Sequence, residues 1–128
     1  MPIQQFSSNN AMIELMNVGF AYKDTPILKN INCTIQRGGF YGIIGPNGAG
    51  KTTLLKLICG LLVPRPGEIR IQGMPLSQIK HSERAKIISY LPQDIHPFDY
   101  TKIDHIVLLA RIPYIQKNFF EKKSIKPI

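Results

Sequence analysis

A chain of 128 residues holds at most one domain, and its 44% hydrophobic and 19% charged residues argue against a disordered protein. No apolar stretch approaches the roughly 18 residues that span a bilayer. The net charge of +8 raises nucleic-acid binding as an alternative, but basic residues gather near the end, from Arg111 to Lys126, without a recognition signature. We therefore expect no nucleic-acid partner.

The start of the chain lacks the basic region and apolar block of a secretion signal. Cys33 and Cys59 have the spacing of neither a disulfide framework nor a metal site. We expect a cytoplasmic chain in which both cysteines are buried and reduced.

The first elements along the chain predict an antiparallel hairpin followed by a buried strand. Residues 12–22 and 27–36 alternate apolar with polar side chains, and residues 23–26 supply turn formers. After a turn at 37–39, the run FYGII at 40–44 is apolar on both faces, which suits a buried strand.

Downstream, the pattern alternates between helices and short strands. Residues 51–62 predict a helix that the VPRPG sequence ends, and residues 68–73 predict a strand. The expected apolar face of this helix comprises Leu54, Leu55, Ile58, Leu61 and Leu62. Residues 82–86 favour a short helix and 86–91 a further buried strand. A last helix is expected after Thr101, with Asp104 completing a capping box.

A glycine-rich bend between the FYGII strand and the helix carries the main chemical signal. The eight residues from 45 to 52 fit G-x-x-x-x-G-K-[ST]: Gly45, Pro46, Asn47, Gly48, Ala49, Gly50, Lys51 and Thr52. Glycines let main-chain N–H groups converge on phosphate oxygens, and the helix N-terminus adds its dipole. We predict a nucleoside-triphosphate site in which Lys51 reaches the phosphates, Thr52 binds Mg²⁺ and Thr53 completes the loop. A glycine-rich turn that merely caps a helix is the alternative.

The longer segment around the bend, residues 42–73, reads GIIGPNGAGKTTLLKLICGLLVPRPGEIRIQG. It resembles the corresponding segment of the ATP-binding subunits of ATP-binding-cassette (ABC) transporters. The resemblance extends from about Ile13 to about Pro113. It implies an α/β fold, an incomplete ABC-type P-loop NTPase core with an N-terminal antiparallel β hairpin.

The resemblance implies two further site residues. Tyr22 stands where the family has an aromatic residue that stacks on adenine, and the alternative is a strand aromatic that covers the core. Gln93, in YLPQD, stands where the family has a glutamine that reaches Mg²⁺ or the attacking water, and the alternative is a surface glutamine. Lys51 and Gln93 are thus the expected catalytic residues, with Thr52 and Gln93 at the metal.

The segment after Gln93 is similar to importers of iron-siderophore, haem and cobalamin, where V-x-L-G-R-x-P is common. Val107, Leu109, Arg111 and Pro113 match, whereas Ala110 replaces the usual glycine. An amphipathic helix shared by many cassettes is the alternative.

Other parts of the family's catalytic site are not found in these 128 residues. A strand ending in Asp-Glu, an LSGGQ-type loop and a late histidine have no counterpart: Asp94 lies inside the Gln93 loop, and His81, His96 and His105 pair with no nucleophile. We expect a truncated or frame-disrupted cassette comprising an ATP-binding part at 1–113 and a poorly ordered basic tail at 114–128. Such a chain would be marginally stable, would aggregate, and would bind ATP without efficient turnover.

The resemblance implies a transport role. The expected partners are a membrane permease, a substrate-binding protein and a second ATP-binding subunit, with the chain at the inner face of the cell membrane. The sequence leaves two alternatives open: a non-catalytic nucleotide-binding remnant, and another soluble P-loop NTPase such as a nucleotide kinase.

Overall fold

The structure is a computed structural model that describes residues 10–93 and 111–114. The chain divides into two units, residues 1–80 and residues 81–128, and each is described by itself. The first unit holds the sheet, the glycine-rich bend and the helix that follows it.

The sheet of the first unit is built on a long hairpin. Strand β1 spans Ala11–Tyr22 and pairs antiparallel with β2, Thr25–Gln36. Strand β3, Glu68–Ile71, pairs antiparallel with the other edge of β1, and β4, Met74–Pro75, pairs with β3. The order is β2-β1-β3-β4. The predicted hairpin and the predicted strand after residue 67 are confirmed.

The hairpin turn is tighter than the sequence suggested. Tyr22 pairs with Thr25, which leaves only Lys23 and Asp24 between the strands. Lys23 adopts a left-handed φ of 52°, as two-residue hairpin turns require. The predicted turn at 23–26 is therefore two residues too long, because Thr25 and Pro26 already belong to β2.

The first helix, α1, spans Lys51–Ile58 and is shorter than predicted. Gly60 adopts a φ of 68°, and its N–H donates to Leu57 O at 2.9 Å while Leu61 N–H donates to Lys56 O at 2.8 Å. This pair of bonds is the Schellman motif, which satisfies the last carbonyls and stops the helix. Gly60, rather than the proline-rich segment after it, ends α1.

The core of the first unit contains buried side chains from the sheet, from α1 and from the segment that follows β4. The buried side chains are Leu15, Val18, Leu28, Thr53, Leu57, Ile58, Ile69, Ile71 and Leu76. The buried face of α1 therefore differs from the predicted one: Leu57 is fully buried, whereas Leu55 and Leu61 remain 42% and 58% exposed. The early stop at Gly60 places Leu61 outside the helix, where helical spacing no longer applies.

The FYGII segment, predicted as a buried strand, is neither a strand nor buried. Residues 40–44 form no ladder, and Phe40 and Ile44 are 101% and 98% exposed. A buried parallel strand needs partners on its edges and layers over both faces. The sheet formed by the described residues does not include this segment, and Phe40 and Ile44 remain in solvent.

The second unit begins with a helix and also lacks a predicted strand. Helix α2 spans His81–Ile87, which confirms the helix expected at 82–86. The strand expected at 86–91 is wrong, because its first two residues complete α2 and residues 88–91 form no ladder. A 3-10 turn at Ile112–Tyr114 follows, and the helix expected after Thr101 lies outside the described residues.

The cysteines differ from the expectation that both are buried. Cys33 is exposed and Cys59 is half-buried, and neither forms a disulfide. Cys33 lies on β2, where its side chain is exposed to solvent.

The exposed FYGII segment predicts self-association. An unpaired, apolar, extended segment is a template for pairing with other chains. We expect Phe40→Lys to lower light scattering across a concentration series, whereas Val63→Lys, which adds the same charge at a side chain 66% exposed, should have a smaller effect. An equal decrease in both variants would mean that net charge, not this segment, controls association.

Candidate functional site

The candidate site is the bend at 45–50 together with the first turn of α1. The Lys51 side chain folds back over the bend, and its Nζ donates hydrogen bonds of 2.7 Å each to Gly45 O and Pro46 O. The ammonium group is therefore held at the bend by two main-chain carbonyls. It is positioned where an anion seated in the bend would meet it.

The main-chain N–H groups of the bend are available to a ligand. Ala49 N–H donates to Pro46 O at 3.3 Å, and the first hydrogen bond of α1 joins Leu54 N–H to Gly50 O at 2.8 Å. Between these two bonds, four N–H groups have no main-chain acceptor among the described residues: those of Gly50, Lys51, Thr52 and Thr53. Such unpaired donors at a helix start are an anion-binding arrangement.

No side chain of the described residues caps or neutralises the N-terminus of α1. Gly50 is its N-cap residue and offers no side-chain cap, and the first turn contains no acidic residue. Most helices satisfy these N–H groups with a Ser, Thr, Asp or Asn cap. Here the positive end of the helix dipole faces outward without a neutralising group.

Two glycines in left-handed conformations shape the bend for different reasons. Gly48 has a φ of 82°, and a Cβ added there would meet nothing within 4 Å. Gly50 has a φ of 85°, and a Cβ there would lie 2.9 Å from Leu28 Cδ2 and 3.0 Å from Ile27 Cγ2. Gly48 is thus required by backbone conformation alone, whereas Gly50 also lets the loop seat closely against β2.

The two threonines after Lys51 face different environments. Thr52 is exposed, so its hydroxyl is free to meet a ligand, and a hydroxyl oxygen is the hard donor that Mg²⁺ prefers. Thr53 is only 8% exposed, so a contact with phosphate from this residue would come from its main-chain N–H. Among the described residues, no cluster of His, Cys, Asp or Glu could hold a metal ion on its own.

Tyr22 lies at the end of β1 next to the hairpin turn and is 46% exposed. Its ring packs edge-to-face on Phe20, with centroids 4.9 Å apart and an interplanar angle of 84°. Phe20 pairs with Leu28, the residue that contacts Gly50. The hairpin therefore links Tyr22 to the bend through one strand pair, and Phe20 supports the tyrosine ring.

Gln93 belongs to the second unit and lies exposed at a bend after α2. The other predicted site residues all lie in the first unit. Val107 and Leu109 are outside the described residues, while Arg111 is exposed at the start of the last 3-10 turn. The roles of Gln93 and Arg111 stay predictions.

Two contacts at the site were missed by the sequence reasoning. The support of Tyr22 by Phe20 was recoverable, because the two residues alternate on one strand and share a face. The seat of Gly50 on Ile27 and Leu28 was not, since nothing in the spacing pairs these residues.

Curated relatives of the chain include several iron-related proteins. A probable iron export ATP-binding protein, FetA, of Escherichia coli is 35% identical and is matched over 91% of this chain and 55% of its own length. A probable iron chelatin transport ATP-binding protein of Helicobacter pylori is 33% identical over 91% of this chain and 46% of its own length. The hemin import ATP-binding protein HmuV of Pseudomonas putida is 31% identical, over 80% and 40% respectively.

Solved structures show the same relationship. An ATP-binding subunit of an ABC transporter superposes with a TM-score of 0.71 at 28% identity, covering 86% of this chain and 46% of that subunit. CbiO1 of Clostridium perfringens, part of the ABC transporter complex cbiONQ, gives a TM-score of 0.55 at 32% identity, covering 61% and 31%. The chain thus spans about half or less of the length of these proteins. The structural similarity to these ATP-binding subunits confirms the expected α/β P-loop NTPase class.

The two left-handed glycines predict unequal effects of the same substitution. Gly50→Ala should lower the free energy of unfolding by about 2 kcal/mol or more, because it adds a clash with β2 to the left-handed strain. Gly48→Ala, with open space around it, should cost only the roughly 1–2 kcal/mol of strain. Urea unfolding of both variants measures the difference, and equal costs would contradict the close seat of Gly50.

Among residues 10–93 and 111–114, no helix has both the length and the apolar character needed to span a bilayer.

The family model for the ABC transporter matches residues 28–124, which is most of the chain and includes the whole bend and α1. The relatives and the solved structures are ATP-binding proteins of the same kind. The chain therefore belongs to the ABC transporter family, as part of an ATP-binding subunit.

Proposed function

We propose that this chain binds Mg-ATP through the bend at 45–50, Lys51, Thr52 and the main-chain N–H of Thr53. The observation that carries the proposal is the combination of unpaired N–H groups at the start of α1 with an ammonium group held over the same bend. ABC ATP-binding subunits use ATP, so the family supports the ligand that the geometry favours.

Binding would exchange the partners of Lys51. In the free loop its ammonium donates to the carbonyls of Gly45 and Pro46, both of which are neutral acceptors. Phosphate oxygens carry negative charge and form stronger, charge-assisted hydrogen bonds. The ammonium can therefore leave one or both carbonyls for the phosphates with a net gain, while the bend keeps its left-handed glycines.

The Mg²⁺ ion would be held by the exposed hydroxyl of Thr52. The proposed metal role of Gln93 rests on the family resemblance of its own loop. When bound with ATP, the ion neutralises phosphate charge and supports phosphoryl transfer to water. Thr52 follows Lys51 directly, so the chain places the metal-side hydroxyl and the phosphate-side ammonium on successive residues at the start of α1.

Tyr22 would stack on the adenine ring. Its ring already packs edge-to-face with Phe20, which fixes the side chain at the turn and leaves it half exposed. A half-exposed aromatic face with a fixed orientation loses little conformational freedom on stacking. Strand pairing relates this face to the phosphate loop through Leu28.

We further propose that these 128 residues bind ATP without efficient turnover. Hydrolysis needs a held metal, a positioned water and charge neutralisation around the γ-phosphate. The sequence contains the loop lysine and Gln93 but neither an Asp-Glu strand end nor an LSGGQ-type loop. A non-catalytic nucleotide-binding remnant is the second candidate, and phosphate release by this chain would exclude it.

For the complete transporter, we propose import of an iron chelate through a membrane permease at the inner face of the membrane. The support is the similarity to proteins named for iron chelatin transport and hemin import. Relatives also include a probable iron exporter, so the direction of transport needs its own test. A substrate-binding protein and a second ATP-binding subunit complete the proposed assembly.

Loss of the Lys51 ammonium should weaken phosphate recognition. We expect Lys51→Ala to weaken Mg-ATP binding by about tenfold to a hundredfold, because a charge-assisted hydrogen bond contributes roughly 1.5–3 kcal/mol. Titration calorimetry measures the affinity. Lys56→Ala, which removes the same group further along α1, serves as the control and should bind as the unmodified chain does. Unchanged binding in Lys51→Ala would overturn the proposed site, and phosphate-release assays on the same samples test turnover.

Removal of the Tyr22 ring should affect adenine and not phosphate. We expect Tyr22→Ala to weaken ATP binding by about fivefold to a hundredfold, because stacking of a base on an aromatic ring contributes roughly 1–3 kcal/mol. Inorganic tripolyphosphate, which has no base, should bind both chains equally, and Tyr22→Phe should retain ATP affinity. Equal weakening of both ligands would show that Tyr22 supports the loop rather than the base.

A further inference from the structure

We propose that Asn47 is a site of spontaneous deamidation, and that the acid formed there blocks the phosphate loop. Asn47 and Gly48 form the one Asn-Gly pair in the sequence. Asparagine is chemically labile, and a following glycine leaves its own main-chain nitrogen open to reaction because it carries no side chain. The pair lies within the loop that meets the nucleotide.

The reaction needs only water. The Gly48 main-chain nitrogen, after losing its proton, attacks the Asn47 side-chain carbonyl carbon and forms a five-membered succinimide ring. The side-chain nitrogen leaves as ammonia after taking up that proton. Water then opens the ring at either carbonyl, which yields aspartate or isoaspartate at position 47.

The structure leaves this pair accessible. Asn47 and Gly48 are exposed and lie in a turn outside every helix and strand. A Cβ at Gly48 would meet nothing within 4 Å, so no side chain shields its main-chain nitrogen. The nearest main-chain bond in the loop, from Ala49 N–H to Pro46 O, leaves the Gly48 N–H without a main-chain acceptor among the described residues. The ammonium of Lys51 and the positive end of α1 also favour the anionic nitrogen that attacks.

Three other asparagines of the first unit lie in strands. Asn17, Asn30 and Asn32 lie in β1 and β2 and precede valine, isoleucine and cysteine. The Asn32 side chain is held twice: its Oδ1 accepts from Asn17 N–H at 2.9 Å, and its Nδ2 donates to Asn30 O at 3.1 Å. These residues provide a comparison inside the same molecule.

The consequence for nucleotide binding rests on the proposed function. A carboxylate at position 47 would lie in the loop whose Lys51 ammonium and N–H groups face outward for an anion. It would attract these donors itself and repel the phosphates. Isoaspartate would in addition insert a methylene into the main chain of the loop. Bound nucleotide, in turn, should slow the reaction by covering the pair.

Mass spectrometry tests the modification directly. Trypsin releases residues 38–51 as one peptide, whose only amide side chain is that of Asn47, and residues 30–37 as another, which holds Asn30 and Asn32. We expect the native chain, incubated at mildly alkaline pH, to convert amide to acid in peptide 38–51 well ahead of peptide 30–37, at a rate that rises with hydroxide concentration. Conversion of both peptides at the same rate, or of neither while urea-unfolded chain reacts, would overturn the proposal.

Nucleotide titration tests the consequence. Asn47→Asp should bind Mg-ATP at least about tenfold more weakly than the unmodified chain, because it carries the negative charge from the start. Asn47→Ser cannot form the succinimide, so it should keep its own starting affinity through an incubation that lowers the affinity of the unmodified chain. If Asn47→Asp binds normally while Lys51→Ala does not, the blocking role is wrong and the nucleotide site stands. If fresh unmodified chain fails to bind, the proposed function is wrong, and the peptide rates alone decide deamidation.

Discussion

The contact of Gly50 with Ile27 and Leu28 is the constraint on which the site depends. It fixes the phosphate loop against β2 at the point where α1 begins, and a Cβ at this position would lie only 2.9 and 3.0 Å from the two side chains. Because Leu28 also pairs with Phe20, the same contact relates the loop to the strand that ends in Tyr22. The adenine end and the phosphate end of the proposed site are therefore positioned by one hairpin.

Two features of the loop cost free energy, and one contact offsets part of that cost. Its glycines adopt left-handed conformations that are unfavourable for other residues, and the start of α1 leaves donors without acceptors. Lys51 offsets part of this cost by bonding to two carbonyls of the bend. The carbonyls of Gly45 and Pro46 thus have a hydrogen-bond donor within the loop, whereas the N–H groups at the start of α1 have no main-chain acceptor among the described residues. Such unpaired donors are what an anionic ligand requires.

Local patterns in the sequence were sufficient for elements whose partners are close along the chain. The hairpin, the strand at Glu68–Ile71 and the helix at His81–Ile87 follow from alternation, turn residues and helix formers within a few positions. The segments at 40–44 and 86–91 have the same local signature as strands but need distant partners, and in the described residues neither has one. The end of α1 differs from the prediction because Gly60, in a left-handed conformation, stops the helix before the chain reaches the prolines. At the site, the motif located the loop residues, whereas the seat of Gly50 depends on packing between segments more than twenty residues apart, which no short pattern encodes.

The two-residue turn between β1 and β2 also limits how this hairpin can vary in length. Tyr22 and Thr25 are opposite each other across Lys23 and Asp24, so insertion of a single residue would shift the register by one. Since neighbouring strand positions point to opposite sides of the sheet, such a shift would turn the β2 side chains, including Leu28, to the other side relative to β1 and away from Gly50. Homologous hairpins that keep the β2 side chain at the position of Leu28 against the phosphate loop should therefore differ in turn length by even numbers of residues, or compensate an odd change with a bulge.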